Sequence, residues 1–164
     1  MPPRSLFPAA LLLGALVTPS AAHAKDLRNR LGVGFNSWFG HVNAVSVRWG
    51  LPTSDPAMNI QVEGDFGLTT GGVNGASDVF AGGRVLYAVV AEDNMNLSLS
   101  AGGAYLGNAA GGQFRLQPAA TVDFFLFGLE NLGFTGGFGV DLDLGSASGV
   151  ATTGSVIGGL HYWF

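Results

Sequence analysis

The 164-residue chain contains no cysteine. That excludes disulfide staples, thiolate metal sites and anchoring through a lipidated N-terminal cysteine. Charge is scarce as well. Charged residues make up 11% of the chain, whereas soluble domains carry about 25%. Lysine occurs once, at Lys25, and the net charge is −4. With no basic patch, a nucleic-acid partner is not expected. Nor is there a run of 18 or more apolar residues, so no helix is expected to cross a membrane. Yet 48% of the residues are hydrophobic, and 27 are glycine. The chain is apolar overall and nowhere continuously apolar. Strands apolar on one face only, closed into a barrel, reconcile those facts.

The N-terminal stretch reads differently from the rest. Arg4 precedes an apolar run from Leu6 to Val17, and small residues follow, closing on Ala22-His23-Ala24. This is the pattern of a secretory signal peptide over 1–24, with cleavage expected after Ala24. The domain reading is then a short periplasmic segment, 25–30, and one barrel over 31–164.

Met58 to Leu68 gives the clearest strand pattern. Met58, Ile60, Val62, Phe66 and Leu68 alternate with Asn59, Gln61, Glu63 and Asp65. Strict period two makes a strand with two different faces. The same pattern predicts eight strands over 31–40, 42–51, 57–68, 77–91, 96–106, 114–127, 133–144 and 153–164. Short connections (52–56, 92–95 and 128–132) fall on the side of both chain ends. The fold class is an all-β, eight-stranded antiparallel up-and-down transmembrane barrel.

One face of these strands carries no formal charge. It collects Leu31, Val33, Phe35 and Phe39 on the first strand and Val45, Val47 and Trp49 on the second, and it continues so around the chain. The opposite face holds Arg48, Glu63, Asp65, Arg84, Arg115, Asp123, Asp141, Asp143 and His161 among small residues. A charge at mid-depth in a bilayer costs about 2–4 kcal/mol, so the charged face is expected inside. The inverted alternative is a soluble, lipocalin-like barrel with apolar residues around a ligand. It leaves too few charges for a solvated surface.

The final strand alternates Val156, Gly158, Leu160, Tyr162 and Phe164 outward. Leu160, Tyr162 and the terminal Phe164 resemble the C-terminal signal by which bacterial outer-membrane proteins are recognised by their assembly machinery. With the leader and the strand count, the chain resembles the small eight-stranded outer-membrane barrels, the OmpX-type proteins and the transmembrane domain of OmpA-type proteins. It lacks the peptidoglycan-binding domain of the latter and the long protruding strands of the former. The resemblance implies a monomer in the bacterial outer membrane, with membrane lipids and the assembly machinery as partners.

An eight-stranded barrel has room for its own side chains and little else. Trp38, Phe80, Leu86, Phe125 and Trp163 are expected to fill it. Arg84 should lie near Glu63 and Asp65, and Arg115 near Asp141 and Asp143, because buried charges need partners. The favoured role is structural, a membrane-maintaining barrel with an occluded, charge-paired lumen. Three arginines face five carboxylates, so a narrow, weakly cation-selective pore is the alternative. Asp141 and Asp143 alone make a poor metal site, and no metal or cofactor is expected.

Lipid A-modifying enzymes of eight strands exist. His41 and His161 offer no His-x-Ser pair, and His41, Ser77 and Asp78 come without the amphipathic helix and long first loop such an enzyme uses. Catalysis is therefore not expected. The remaining loops carry neutral, small residues and none of the Trp, Tyr or Arg that favour recognition.

Overall fold

The computed structural model describes residues 25–39, 42–55, 58–69, 78–108, 111–144, 149–151 and 156–164. The leader with Ala24 lies outside them, as do His41 and Ser77, and the side chain of Asp78 is likewise not described.

Alternating side chains dictate the elements. Leu31–Trp38 (β1), Val42–Gly50 (β2), Ile60–Thr69 (β3), Asp78–Glu92 (β4), Met95–Asn108 (β5) and Gly111–Phe125 (β6) each pair antiparallel with the next. Leu132–Gly139 (β7) and Asp141–Leu144 (β8) form one stave on β6, in a single register from Phe125↔Gly133 to Phe114↔Leu144. The interruption at Val140 has a chemical cause. Val140 N donates to Pro118 O (3.0 Å), but proline has no N–H to return the bond. Gly149–Ala151 (β9) and Val156–Trp163 (β10) make the last stave, on β8 and β7.

β10 then pairs with β1, Gly32↔Trp163 through Asn36↔Gly159, and Phe164 N donates to Leu31 O. The ten strands thus make eight staves of a closed, up-and-down barrel. Gly34 faces the seam, where an added Cβ would collide with the Leu160 carbonyl.

Strand ends differ from the sequence reading at most staves: Phe39, residues 58–59 and Leu126-Phe127, read as strand, lie outside β1, β3 and β6. Residues 107 and 111–113, read as loop, continue the β5–β6 ladder through Gly107↔Gly112 and Asn108↔Gly111. Residues 149–151, also read as loop, pair with β8. Glycine and small polar residues carry no alternation of hydrophobicity, so hairpin arms made of them are invisible to a period-two reading.

The inside–outside division follows the alternation. In β1 exposed Leu31, Val33 and Phe35 alternate with buried Gly32, Gly34 and Asn36. Apart from Glu92 at the end of β4, every charged side chain described on the strands turns inward. Away from the strand ends the outer wall exposes Val47, Val85 and Leu99 together with Phe35 and Phe138. Other aromatics lie toward both ends: Trp49, Tyr87, Phe124, Phe134 and Tyr162 on the side of the chain ends (the base), and Phe66, Tyr105 and Phe114 on the other.

Phe39 departs from the pattern. Parity places it on the outer face, but it is 1% exposed and inside the barrel. Its backbone leaves the strand at φ 54, a left-handed conformation that is costly for a bulky residue, and this turns the ring inward.

Candidate functional site: the barrel interior

The interior is built in layers. At the base, the segment before β1 folds across the opening. Lys25 N donates to Glu92 O, Asn29 N to Gly50 O and Gly50 N to Arg30 O. The side-chain amides of Asn59 and Asn96 donate to Lys25 O at 3.3 and 3.4 Å. These bonds hold Leu27 fully buried against Phe125 and Trp163. Gly50 is required here, because a Cβ would strike the Leu27 carbonyl. The Arg28 guanidinium bonds Asp26 through Nε and Nη2, which holds that carboxyl below its usual range. Arg30 donates to Asn131 Oδ1 (2.7 Å) and to the main-chain oxygens of Trp163 and Phe164.

Above this seal lies an ionic layer centred on Arg48, which is 0% exposed. It bonds Asp123 on β6 at 2.8 Å and lies 3.3 Å from Glu63 on β3. β2 and β6 are four staves apart in a barrel of eight, so the Arg48–Asp123 pair spans the full bore. Thr135 donates its hydroxyl to the same Asp123 oxygen. Glu63 also accepts from Trp38 Nε1 (3.2 Å) and from the Asn36 amide, which Asp65 shares at 2.6 Å. His161 Nε2 bonds Ser46 Oγ and lies 3.6 Å from Glu63.

Arg84 follows a different course from the sequence reading. It is in register with Glu63, yet its guanidinium turns toward β5 and β6. It donates to Ser100 Oγ (3.0 Å) and Gln117 Oε1 (2.7 Å) and lies over the Trp38 ring at 3.1 Å and the Phe39 ring at 4.8 Å. Arg48 takes Glu63 instead, and no ion pair to Asp65 is found among the described residues. The physical reason is the stacking surface that Trp38 and Phe39 offer a planar cation. Trp38 faces the bore by strand parity, and the inward turn of Phe39 adds the second ring.

No family model, curated protein or solved structure matches this chain.

Toward the mouth opposite the base, Trp38, Phe39, Phe80, Ala104 and Ile157 form an apolar plug that reaches down to Leu86, with the Phe39 and Phe80 rings 5.6 Å apart. Arg115 holds it. Arg115 bonds Asp143 twice, lies 3.3 Å from Asp141 and donates from Nη1 to Phe39 O at 2.6 Å. Asp141 also accepts from the Gln117 amide at 2.6 Å. Arg115 thus meets both carboxylates that the sequence assigned to it.

All nine charge-bearing residues read from the sequence turn into the bore. Leu160, Tyr162 and Phe164 lie on the outer wall at the base. Sequence reasoning missed the Leu27 seal, the Phe39 plug and the bore-spanning reach of Arg48. The signal for the first was a single apolar residue within Lys25-Asp26-Leu27-Arg28-Asn29-Arg30.

Ser46 and Glu63 address the same ring nitrogen of His161. A nucleophile–base–acid relay needs them on opposite nitrogens, and all three residues are buried. No group of three or more potential metal-ligating side chains occurs among the described residues.

Proposed function

We propose that this chain is a small integral barrel of a bacterial outer membrane, with a structural, membrane-maintaining role and an occluded, charge-paired lumen. One observation carries the reading. A wall of exposed valine, leucine and aromatic residues, free of charge between its ends among the described residues, surrounds a bore that holds every other charged side chain described on the strands. Water solvates the opposite arrangement. An apolar outer face around a polar interior suits a solvent of acyl chains, and closure without an edge satisfies the backbone there. Aromatics at both ends of the wall fit the two interfacial belts of such a barrel.

Leu160, Tyr162 and Phe164 form the outward row of the closing strand, where the assembly machinery would read them. The bore-spanning Arg48–Asp123 pair and the two apolar seals support a closed lumen.

The cation-pore alternative draws on Asp65, a buried carboxylate that makes no ion pair among the described residues. The crossbar of Arg48 weighs against it.

The test is cell fractionation of the full chain with its leader, read by gel mobility before and after boiling. The expected result is a compact, heat-modifiable band in the outer-membrane fraction. A soluble periplasmic band that migrates identically after boiling would contradict the proposal.

A further inference from the structure

The connections at the base differ in chemistry. The described part of the β2–β3 connection is polar or small over Pro52 to Asp55 with one exposed apolar residue, Met58, and the β4–β5 turn is Asp93-Asn94. The β6–β7 turn carries Leu126, Phe127 and Leu129, exposed by 41%, 88% and 51%. This exposure is built into the turn. Gly128 takes φ 83 at its tip, Leu129 N donates to Leu126 O (3.0 Å), and Leu132 N donates to Leu129 O (2.9 Å). The backbone is satisfied while the apolar side chains project away from the protein.

The turn continues the outer wall on both flanks. Phe124 and Phe134, a register pair, lead into it, and Leu132 pairs with Tyr162, whose ring meets Phe164 at 5.1 Å. On its inner side charged residues join Phe125, Leu126 and Phe127. A pocket of about 390 Å³ lies behind the turn, with Lys25, Arg30, Asp93 and Glu130 among its lining. One edge of the base is thus apolar outward and mixed inward, with charges of both signs beside the apolar side chains. This is the polarity of the zone between acyl chains and headgroups, where amphipathic elements settle.

We propose that the Leu126–Asn131 turn docks into the lipid interface of the leaflet at the base. Phe127 and Leu129 lie against the upper acyl chains, and the pocket behind the turn, with Asp93 in its lining, opens past the headgroups to water. The inference rests on the membrane reading and adds to it that this edge of the base sits deeper than the Asp93 edge.

The chain has no cysteine, so single cysteines at positions 127, 93 and 160 can each carry an environment-sensitive fluorophore in phosphatidylcholine vesicles. Nitroxide-bearing lipids supply the quencher. The label at 160, on the wall, reports insertion, and the label at 93 reports water. The expected result is a label at 127 that is blue-shifted and quenched several-fold more than the label at 93. A label at 127 that matches the one at 93 overturns the proposal. So does a label shielded from water but not quenched by lipid, which would mean a second copy or another protein covers the turn. If the label at 160 is not quenched either, the membrane reading itself fails.

Discussion

Arg48 sits between Asp123 across the bore and Glu63 beside it, so replacing it strands two buried carboxylates. Breaking a buried pair from one side costs about 3–5 kcal/mol. We expect Arg48→Met to lower the unfolding free energy in vesicles by that amount. Adding Glu63→Gln and Asp123→Asn should recover most of the loss, and urea titration followed by tryptophan fluorescence reads both. At the base, Leu27→Ala should cost about 2–5 kcal/mol, as buried leucines do. Gly50→Ala should mimic it by displacing the segment that carries Leu27.

Residue-level detail was the least legible part of the sequence. The nine charged and histidine positions turned inward because a strict two-residue period admits one answer. Their partners were not readable. Arg84 is in register with Glu63, but the planar face of Trp38 and the inverted backbone at Phe39 draw it elsewhere. Nothing in Trp38-Phe39-Gly40 announces that inversion.

At the scale of the strand, the two faces are not interchangeable. Val47 lies at mid-height on the wall, exposed and flanked by Val33 and Gly64 in register. Val47→Arg should cost about 2–4 kcal/mol at the bilayer midplane and abolish the heat-modifiable band. A polar substitution at Gly149, at the start of β9, where an added Cβ meets open space, should leave the band intact. The seam between β1 and β10 makes a sharper case. Gly34→Val places side-chain atoms against the Leu160 carbonyl and should block closure outright, so that only the slow-migrating, unfolded band forms. Strand positions were readable wherever apolar and polar residues alternate, as in β3. They were not readable in the glycine-rich arms of β5, β6 and β9, which pair through backbone groups that any residue possesses.

For the whole molecule, the physical statement is a choice of solvent. A barrel with charges inside and valines outside would aggregate in water. In a bilayer it buries its apolar surface against lipid and its charges against one another. The closed bore follows from size, because eight staves leave space for side chains alone. Here that space holds a seal at the base, an arginine crossbar and a second seal at the far mouth. Refolded protein in a planar bilayer is therefore expected to be electrically silent. Discrete cation-preferring steps that change with Asp65→Asn would mean that the bore opens around Arg48.

The most direct test of the central claim follows β2 through the wall. Single spin labels at positions 43 to 49, in protein reconstituted in vesicles, report collisions with oxygen, which concentrates in lipid, and with a water-soluble nickel chelate. The account predicts oxygen-dominated collisions at 45, 47 and 49, strongest at 47, and suppressed collisions with both agents at 44, 46 and 48. Collision with the nickel chelate at 45 and 47 as frequent as at an exposed loop position would place the apolar wall in water and contradict the account.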